Sequence, residues 1–230
     1  KILIFIDADC FLAPWAVASI VSMMKEKNLS LLSCFPAQKT KSPGEKFVVP
    51  VMNWLLLSFL PLNLIYYTSH KAVAAANGQL MAFDAKAYKD AGGHERVKGE
   101  VVEDMELARL FKSTGRKIMT LLGGEAVSCR MYGSFAESFH GFSKNFFPGF
   151  KMSPFVFSVI LLLFLYLFVF PYIFIVINPA YVVHIGLIAI QRIGISRLAK
   201  ESILMNVLLH PLQMIIMTGI GINSMRVSLG

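Results

Sequence analysis

The chain has 230 residues, of which 56% are hydrophobic and only 16% charged, and its mean hydropathy is +0.62. That balance excludes an ordinary soluble domain and implies that part of the chain sits in lipid. The formal charge of +8 and pI near 9.4 come without a Lys/Arg-rich run of the nucleic-acid-binding kind, so the expected partners are a membrane surface and an anionic substrate, not nucleic acid.

Cys10, Cys34 and Cys129 share no metal or disulfide spacing and read as small buried hydrophobes in a reducing compartment. The chain opens at Lys1, inside what reads as a core strand, with neither an initiator Met nor a signal peptide. It is therefore expected to be a fragment lacking its N-terminal part.

Ile2 to Ile6 is an unbroken apolar, β-branched-rich run that ends in Asp7-Ala8-Asp9. It predicts a strand buried on both faces, delivering two carboxylates to its C-terminal edge, where α/β sheets bind ligands. With strand period two, Asp7 and Asp9 point to one side and can share a divalent cation; a strand followed by a plain turn fits the same residues. Ala13-Pro14-Trp15 opens a helix to about Lys27, with Ala16, Ile20, Met23 and Met24 as its apolar stripe. Leu29 to Phe35 is a second buried strand, giving an α/β layer with a right-handed crossover. Gln38 to Lys46 reads as a basic surface loop.

Phe47 to His70 holds no Asp, Glu, Lys or Arg. Its length would span a bilayer, but Pro50, Asn53, Pro61 and Asn63 argue for an interfacial or re-entrant segment, with a buried helix pair as the alternative. Asn77-Gly78-Gln79 precedes an apolar strand-like run ending at Phe83; the Gly permits close backbone approach, the amides can bond hydroxyls or phosphate, and a turn explains them equally. Asp84 to Gly92 predicts a short helix ended by Gly92-Gly93. A further helix runs from Glu103 to Thr114 and stops at Gly115, followed by a strand over Lys117 to Leu122. Glu103, Asp104 and Glu106 complement its N-terminal dipole. Asp104 also lies above Leu107, Ala108 and Phe111, an expensive place for a carboxylate unless it has a task.

Met131 to Lys151 is aromatic and basic, suited to an interface. Met152 to Gln191 holds no Asp, Glu, Lys or Arg and is long enough for two spans, broken near Pro171 or, alternatively, at Asn178-Pro179. Ile203 to Met225 is a third uncharged stretch. Arg130, Lys144 and Lys151 before the spans, with Arg192, Arg197 and Lys200 between them, put the preceding part on the cytoplasmic side. His184 and His210 read as packed histidines, with proton or lipid contact as the alternative.

In this order, Asp7-Ala8-Asp9, Asn77-Gly78-Gln79, Ala91 to His94, Glu103-Asp104, Arg130-Met131-Tyr132 and Gly141 to Asn145 before a membrane cluster resemble the membrane-bound family 2 glycosyltransferases, in particular the hopanoid-associated and carotenoid-acid branch. The resemblance implies an α/β chain: a partial GT-A (Rossmann-like) catalytic domain over residues 1–130, with 47–70 interfacial, an amphipathic segment over 131–152, and transmembrane helices within 153–225 at about 153–170, 172–191 and 203–223. It implies a multi-pass cell-membrane enzyme that transfers a sugar, with inversion, from a nucleotide-sugar donor, expected to be a UDP-sugar, to a lipid hydroxyl or carboxyl. Asp7 and Asp9 would hold Mg²⁺ or Mn²⁺, Asp104 would be the general base beside Glu103, and Asn77, Gly78, Gln79, Arg130 and Lys144 would contact donor or acceptor. The Q-x-x-R-W motif of processive synthases is missing, which points to single transfer. The first half of the nucleotide site is also missing, so these residues alone are expected to be inactive. A polytopic transporter or channel subunit with structural acids is the competing expectation.

Overall fold

A computed structural model describes every residue from Lys1 to Gly230. In chain order its first half comprises β1 (Ile2–Ile6), β2 (Cys10–Leu12), α1 (Ala16–Glu26), β3 (Leu31–Phe35), β4 (Ala37–Gln38), α2 (Pro43–Phe59), α3 (Leu62–Tyr67), β5 (Leu80–Asp84), α4 (Ala85–Ala91) and α5 (Glu103–Ser113). There follow β6 (Ile118–Leu122), β7 (Val127–Cys129), α6 (Phe135–Phe150), α7 (Pro154–Phe168), α8 (Phe170–Phe174), α9 (Tyr181–Ala199), α10 (Ile203–Leu208) and α11 (His210–Leu229). The chain forms two compact units, one of Lys1–Lys39 with Leu60–Met131, the other of Thr40–Phe59 with Tyr132–Gly230.

The first unit is a mixed α/β layer. Its main sheet has the order β1-β5-β3-β6, with β5 antiparallel to both neighbours and β3 parallel to β6. Alternation along β5 divides the core. Met81 and Phe83 pack with Leu31, Leu107, Phe111 and Ile118 on the α5 side. Leu80 and Ala82 pack with Leu32, Ile20 and Met24 on the α1 side. The strands buried on both faces are thus β3 and β5. β1, expected in that role, is an edge strand whose Phe5 and Ile6 are exposed, because a continuous apolar run reports hydrophobicity and not the number of neighbours. A second small sheet, β2-β7-β4, joins residues far apart in sequence.

The expected glycine stop is met: Gly92 caps α4 in the left-handed region, and Gly93 follows at φ +55°. The Tyr88 hydroxyl lies 2.7 Å from His94 Nδ1 and accepts from the His94 N–H at 3.1 Å, pinning its ring against Gly93.

The second unit is helical. The expected basic loop over Gln38 to Lys46 is shorter than that: Lys39 to Ser42 is loop, whereas Gln38 closes β4 and Pro43 to Lys46 open α2. Ser42 Oγ accepts from the Glu45 N–H at 3.3 Å, while the buried Glu45 carboxylate accepts from the N–H groups of Ser42, at 2.6 Å, and Lys41. This is a capping box, and its S-x-x-E signature is present in Ser42-Pro43-Gly44-Glu45. Phe47 to His70 is not one segment: the helix ends before Pro61, which has no N–H with which to continue it, so α2 belongs to the second unit and α3 to the first.

The turn after the first apolar stretch falls at Asn178-Pro179 and not at Pro171. Asn178 Oδ1 accepts from the Ala180 N–H at 2.9 Å, whereas Pro171 sits in the first turn of α8, where a missing N–H costs little. Pro154–Phe174 and Tyr181–Ala199 are long and apolar enough to cross a membrane. The expected third span is two helices, restarted at His210-Pro211, and in α11 Gln213, Thr218, Asn223, Ser224 and Arg226 lower the hydropathy.

Arg192, expected in a basic connector, is buried in α9. Its Nε donates to the Asn206 carbonyl at 3.1 Å and its Nη2 to Gln213 Oε1. Trp54 is fully buried and donates to Gln191 Oε1 at 3.1 Å. His210 is packed among the rings of Trp54, Phe168 and Tyr172, with neither ring nitrogen hydrogen-bonded.

A Cβ on Gly93 would come 2.5 Å from Tyr88 Cζ at a left-handed φ, so Gly93→Ala is expected to cost about 2–4 kcal/mol. Gly99, at φ +91° with open space around it, should cost only about 1–2 kcal/mol when replaced by Ala. Thermal unfolding of the two variants side by side separates strain from collision.

Candidate active site

Asp7 does not continue β1. Its N–H donates to the Gln79 carbonyl at 3.1 Å, and its own carbonyl accepts from the Cys10 N–H at 3.1 Å, so Asp7-Ala8-Asp9-Cys10 forms a β-turn. The turn, and not strand alternation, is what brings the two carboxylates together. Burial, and then the negative charges of Asp9 and Glu103, push the Asp7 carboxyl above the ordinary carboxylate range. Asp7, Asp9 and Glu103 therefore share one electrostatic environment at the end of β1.

Glu103 and Asp104 enter that environment because α5 begins there. Leu107, Ala108 and Phe111 are buried against the sheet, which sets the rotation of the helix. Asp104 Oδ2 accepts from the Gly78 N–H at 2.8 Å, and Oδ1 accepts from the Met105 N–H at 2.8 Å. Burial pushes the Asp104 carboxyl up and the Glu103 charge adds to this, while the backbone N–H groups of Gly78, Met105 and Asp104 itself pull it down; the net direction is up. Each oxygen retains a lone pair able to accept a further proton.

The segment 77–79 is built for position. Ser33, fully buried in β3, donates through Oγ to the Asn77 carbonyl at 3.0 Å and accepts from the Asn77 N–H at 2.7 Å. Asn77 Oδ1 accepts from the Gln79 N–H at 2.8 Å, closing an Asx turn that presents the Gly78 N–H to Asp104. Gln79, also buried, accepts from Gln38 Nε2 at 3.1 Å and donates through Nε2 to Cys129 Sγ at 2.9 Å. These side chains, expected to meet a ligand, hydrogen-bond within the fold. Arg130 follows β7 directly, and its N–H donates to the Asp9 carbonyl at 3.4 Å. Lys144 is exposed on α6 in the second unit.

Sequence reasoning missed Ser33, Gln38, Cys10 and Cys129. Cys10 and Cys129 stand directly opposite each other in the antiparallel β2–β7 pair, and Cys10 Sγ lies 3.7 Å from Asp9 Oδ1. Burial, with the charges of Asp9 and Asp7 adding to it, pushes the Cys10 thiol up to about 11, and burial also raises Cys129. No signal in the sequence joins these two residues, since their strands are three residues each.

Asp7, Asp9 and Glu103 thus place three carboxyl groups in one electrostatic environment, and the Asp104 carboxyl, coupled to Glu103, is held by the Gly78 and Met105 N–H groups. Compared with protein-family models and with curated proteins, the chain matches none of either.

Ser33→Ala removes both bonds that hold Asn77, with an expected cost of about 1–3 kcal/mol and faster amide exchange at Gly78. Gly78→Ala is expected to leave stability and exchange unchanged, because the new Cβ would sit 3.6 Å from Asp104 Cβ and Oδ2, in ordinary contact.

Proposed function

We propose that this chain carries the acceptor-activating part of an inverting, metal-dependent glycosyltransferase, which moves a sugar from a nucleotide-sugar donor, expected to be a UDP-sugar, to a membrane lipid. The observation that carries this reading is the gathering of Asp7, Asp9 and Glu103 beside an Asp104 whose two oxygens are aimed by the Gly78 and Met105 N–H groups.

In this reading Asp7 and Asp9 hold Mg²⁺ or Mn²⁺, with Glu103 adding negative charge. The cation, when bound, neutralises the departing diphosphate. Arg130, beside the Asp9 turn, adds positive charge for the same group. Asp104 removes the acceptor's proton as its oxygen bonds to the anomeric carbon and the bond from that carbon to the diphosphate breaks. Burial raises the proton affinity of Asp104, which suits it to accept a hydroxyl proton. A carboxylate acceptor has no proton to lose, so dependence on Asp104 distinguishes the two acceptor classes.

A lipid acceptor is favoured by the two long apolar helical stretches, whose Phe155, Leu162, Leu187 and Ile190 face outward. The aromatic α6, with Phe135, Phe139, Phe142 and Phe150 beside Lys144, suits a headgroup boundary. Lys151, Arg197 and Lys200 near the helix ends, with Lys144 within α6, favour a multi-pass protein with its catalytic part in the cytoplasm.

In the full-length protein, Asp104→Asn is expected to lower transfer to a lipid hydroxyl by about 10²–10⁴-fold while metal-dependent UDP binding, read by calorimetry, persists. Unchanged turnover would overturn the base assignment. Asp7→Ala combined with Asp9→Ala should remove the metal dependence of UDP binding. Because the Asp104 carboxyl is raised, its protonated, inactive form persists to higher pH than for an ordinary Asp. Transfer should therefore rise with pH through a limb above the usual carboxylate range, and a rate profile lacking that limb would contradict the assignment.

A further inference from the structure

We propose that Asp9, Cys10 and Cys129 form a second metal site, for a thiophilic divalent cation of the Zn²⁺ class. Their three ligand atoms, one carboxylate oxygen and two sulfurs, all lie within 4.8 Å of one another. Zinc binds thiolate at about 2.3 Å and carboxylate at about 2.0–2.2 Å in a tetrahedron, which spaces sulfur and oxygen by about 3.5 Å. The Cys10 Sγ to Asp9 Oδ1 distance of 3.7 Å is already close to that span. The two cysteines are held opposite each other by the β2–β7 register, so the sulfurs approach through backbone pairing and not by the chance of two flexible side chains.

The surroundings are fixed as well. The Cys129 carbonyl accepts from the Lys39 N–H at 2.7 Å, and the Asp9 carbonyl accepts from the Arg130 N–H, which ties down the backbone on both sides of the cluster. Gln79 Nε2, buried and 2.9 Å from Cys129 Sγ, is a donor that would orient and stabilise a thiolate, the arrangement by which outer groups tune metal ligands. As each metal–sulfur bond forms, the thiol proton leaves to solvent, and no redox partner is needed.

The four residues Asp7 to Cys10 thus have two chemical sides. Asp7 offers only oxygen, which suits Mg²⁺ or Mn²⁺, whereas Cys10 with Cys129 offers sulfur, which those ions decline. Asp9 belongs to both sets. A soft ion at the sulfur side takes the Asp9 carboxylate from a hard ion at the oxygen side. The resulting inhibition rests on the transferase reading; the binding itself does not.

The test uses the intact protein in detergent with a phosphine reductant, titrated with Cd²⁺ as a spectroscopic substitute for Zn²⁺. A thiolate-to-cadmium charge-transfer band saturating at one ion per chain is expected. Cys10→Ser and Cys129→Ser should each abolish most of the band and weaken binding by more than about tenfold, and Asp9→Asn should weaken it, while Cys34→Ser and Asp7→Asn leave it in place. Absence of the band, or its survival in Cys10→Ser, would overturn the site. X-ray absorption at the zinc edge of the unmodified protein needs no variant to fold. A shell of two sulfurs completed by oxygen or nitrogen supports the proposal, and a shell of oxygen and nitrogen alone refutes it. Failure here leaves UDP binding by Asp7 and Asp9 untouched, and a chain with no UDP affinity that still binds Cd²⁺ would separate the two readings.

Discussion

The bond from the Gly78 N–H to the Asp104 carboxylate is the constraint on which the candidate site depends. It joins the loop before β5 to the first turn of α5. That loop is clamped to β3 by Ser33 and to the β1 end by the Asp7 N–H on the Gln79 carbonyl. Without the Gly78 bond, the acids of α5 would lie near Asp7 only as far as helix packing allows. Hydrogen bonds to ionised groups are roughly twice as strong as neutral ones, so one backbone donor is a substantial anchor. It is opposed by burial, which disfavours the charge, and for Asp104 burial prevails. A carboxylate that is both anchored and short of solvent has a fixed direction and a raised proton affinity.

Much of the first unit was legible in the sequence because its signals are local. The apolar stripe Leu107, Ala108 and Phe111 marked α5, Gly92 marked the end of α4, and the placing of Asp104 in the first turn above that stripe was readable from the same spacing. What stayed hidden is non-local. No feature of Ile2 to Ile6 says that β5 will pair on one side only, and the β2-β7-β4 sheet rests on strands too short to leave a pattern. The pairing of Cys10 with Cys129 was invisible for the same reason. The capping box at Ser42 to Glu45 is a different kind of miss: its signal was local, but three lysines in nine residues, Gln38 to Lys46, gave the stretch the composition of a loop. At Pro171, proline read as a turn was proline at a helix start.

The second unit sets a polar network inside an apolar helix cluster. Arg192 reaches Asn206 and Gln213; Asn206 donates to Ser196 Oγ at 2.9 Å and to Glu201 Oε2 at 2.8 Å; Asn53 donates to Glu201 Oε1 at 2.6 Å. Burial raises the Glu201 carboxyl against the pull of Asn53, Arg192 and Asn206. Apolar side chains can satisfy one another in many registers, whereas this set links α2, α9, α10 and α11 through directional hydrogen bonds. Buried polar groups of this kind cost desolvation and are worth little as stabilisers, but they select a single packing from the many that a greasy surface permits.

That network ties the beginning of the second unit to its end. The Asn53–Glu201 and Lys46–Gln213 bonds join residues 148 and 167 positions apart. On a ribosome, α2 therefore emerges long before its partners exist. At 5–20 residues per second the wait is roughly 7–30 s. Throughout that interval Trp54 and Val51 have none of the later helices to cover them, so the apolar face of α2 stays open until Met214 and Met217 of α11 have been made.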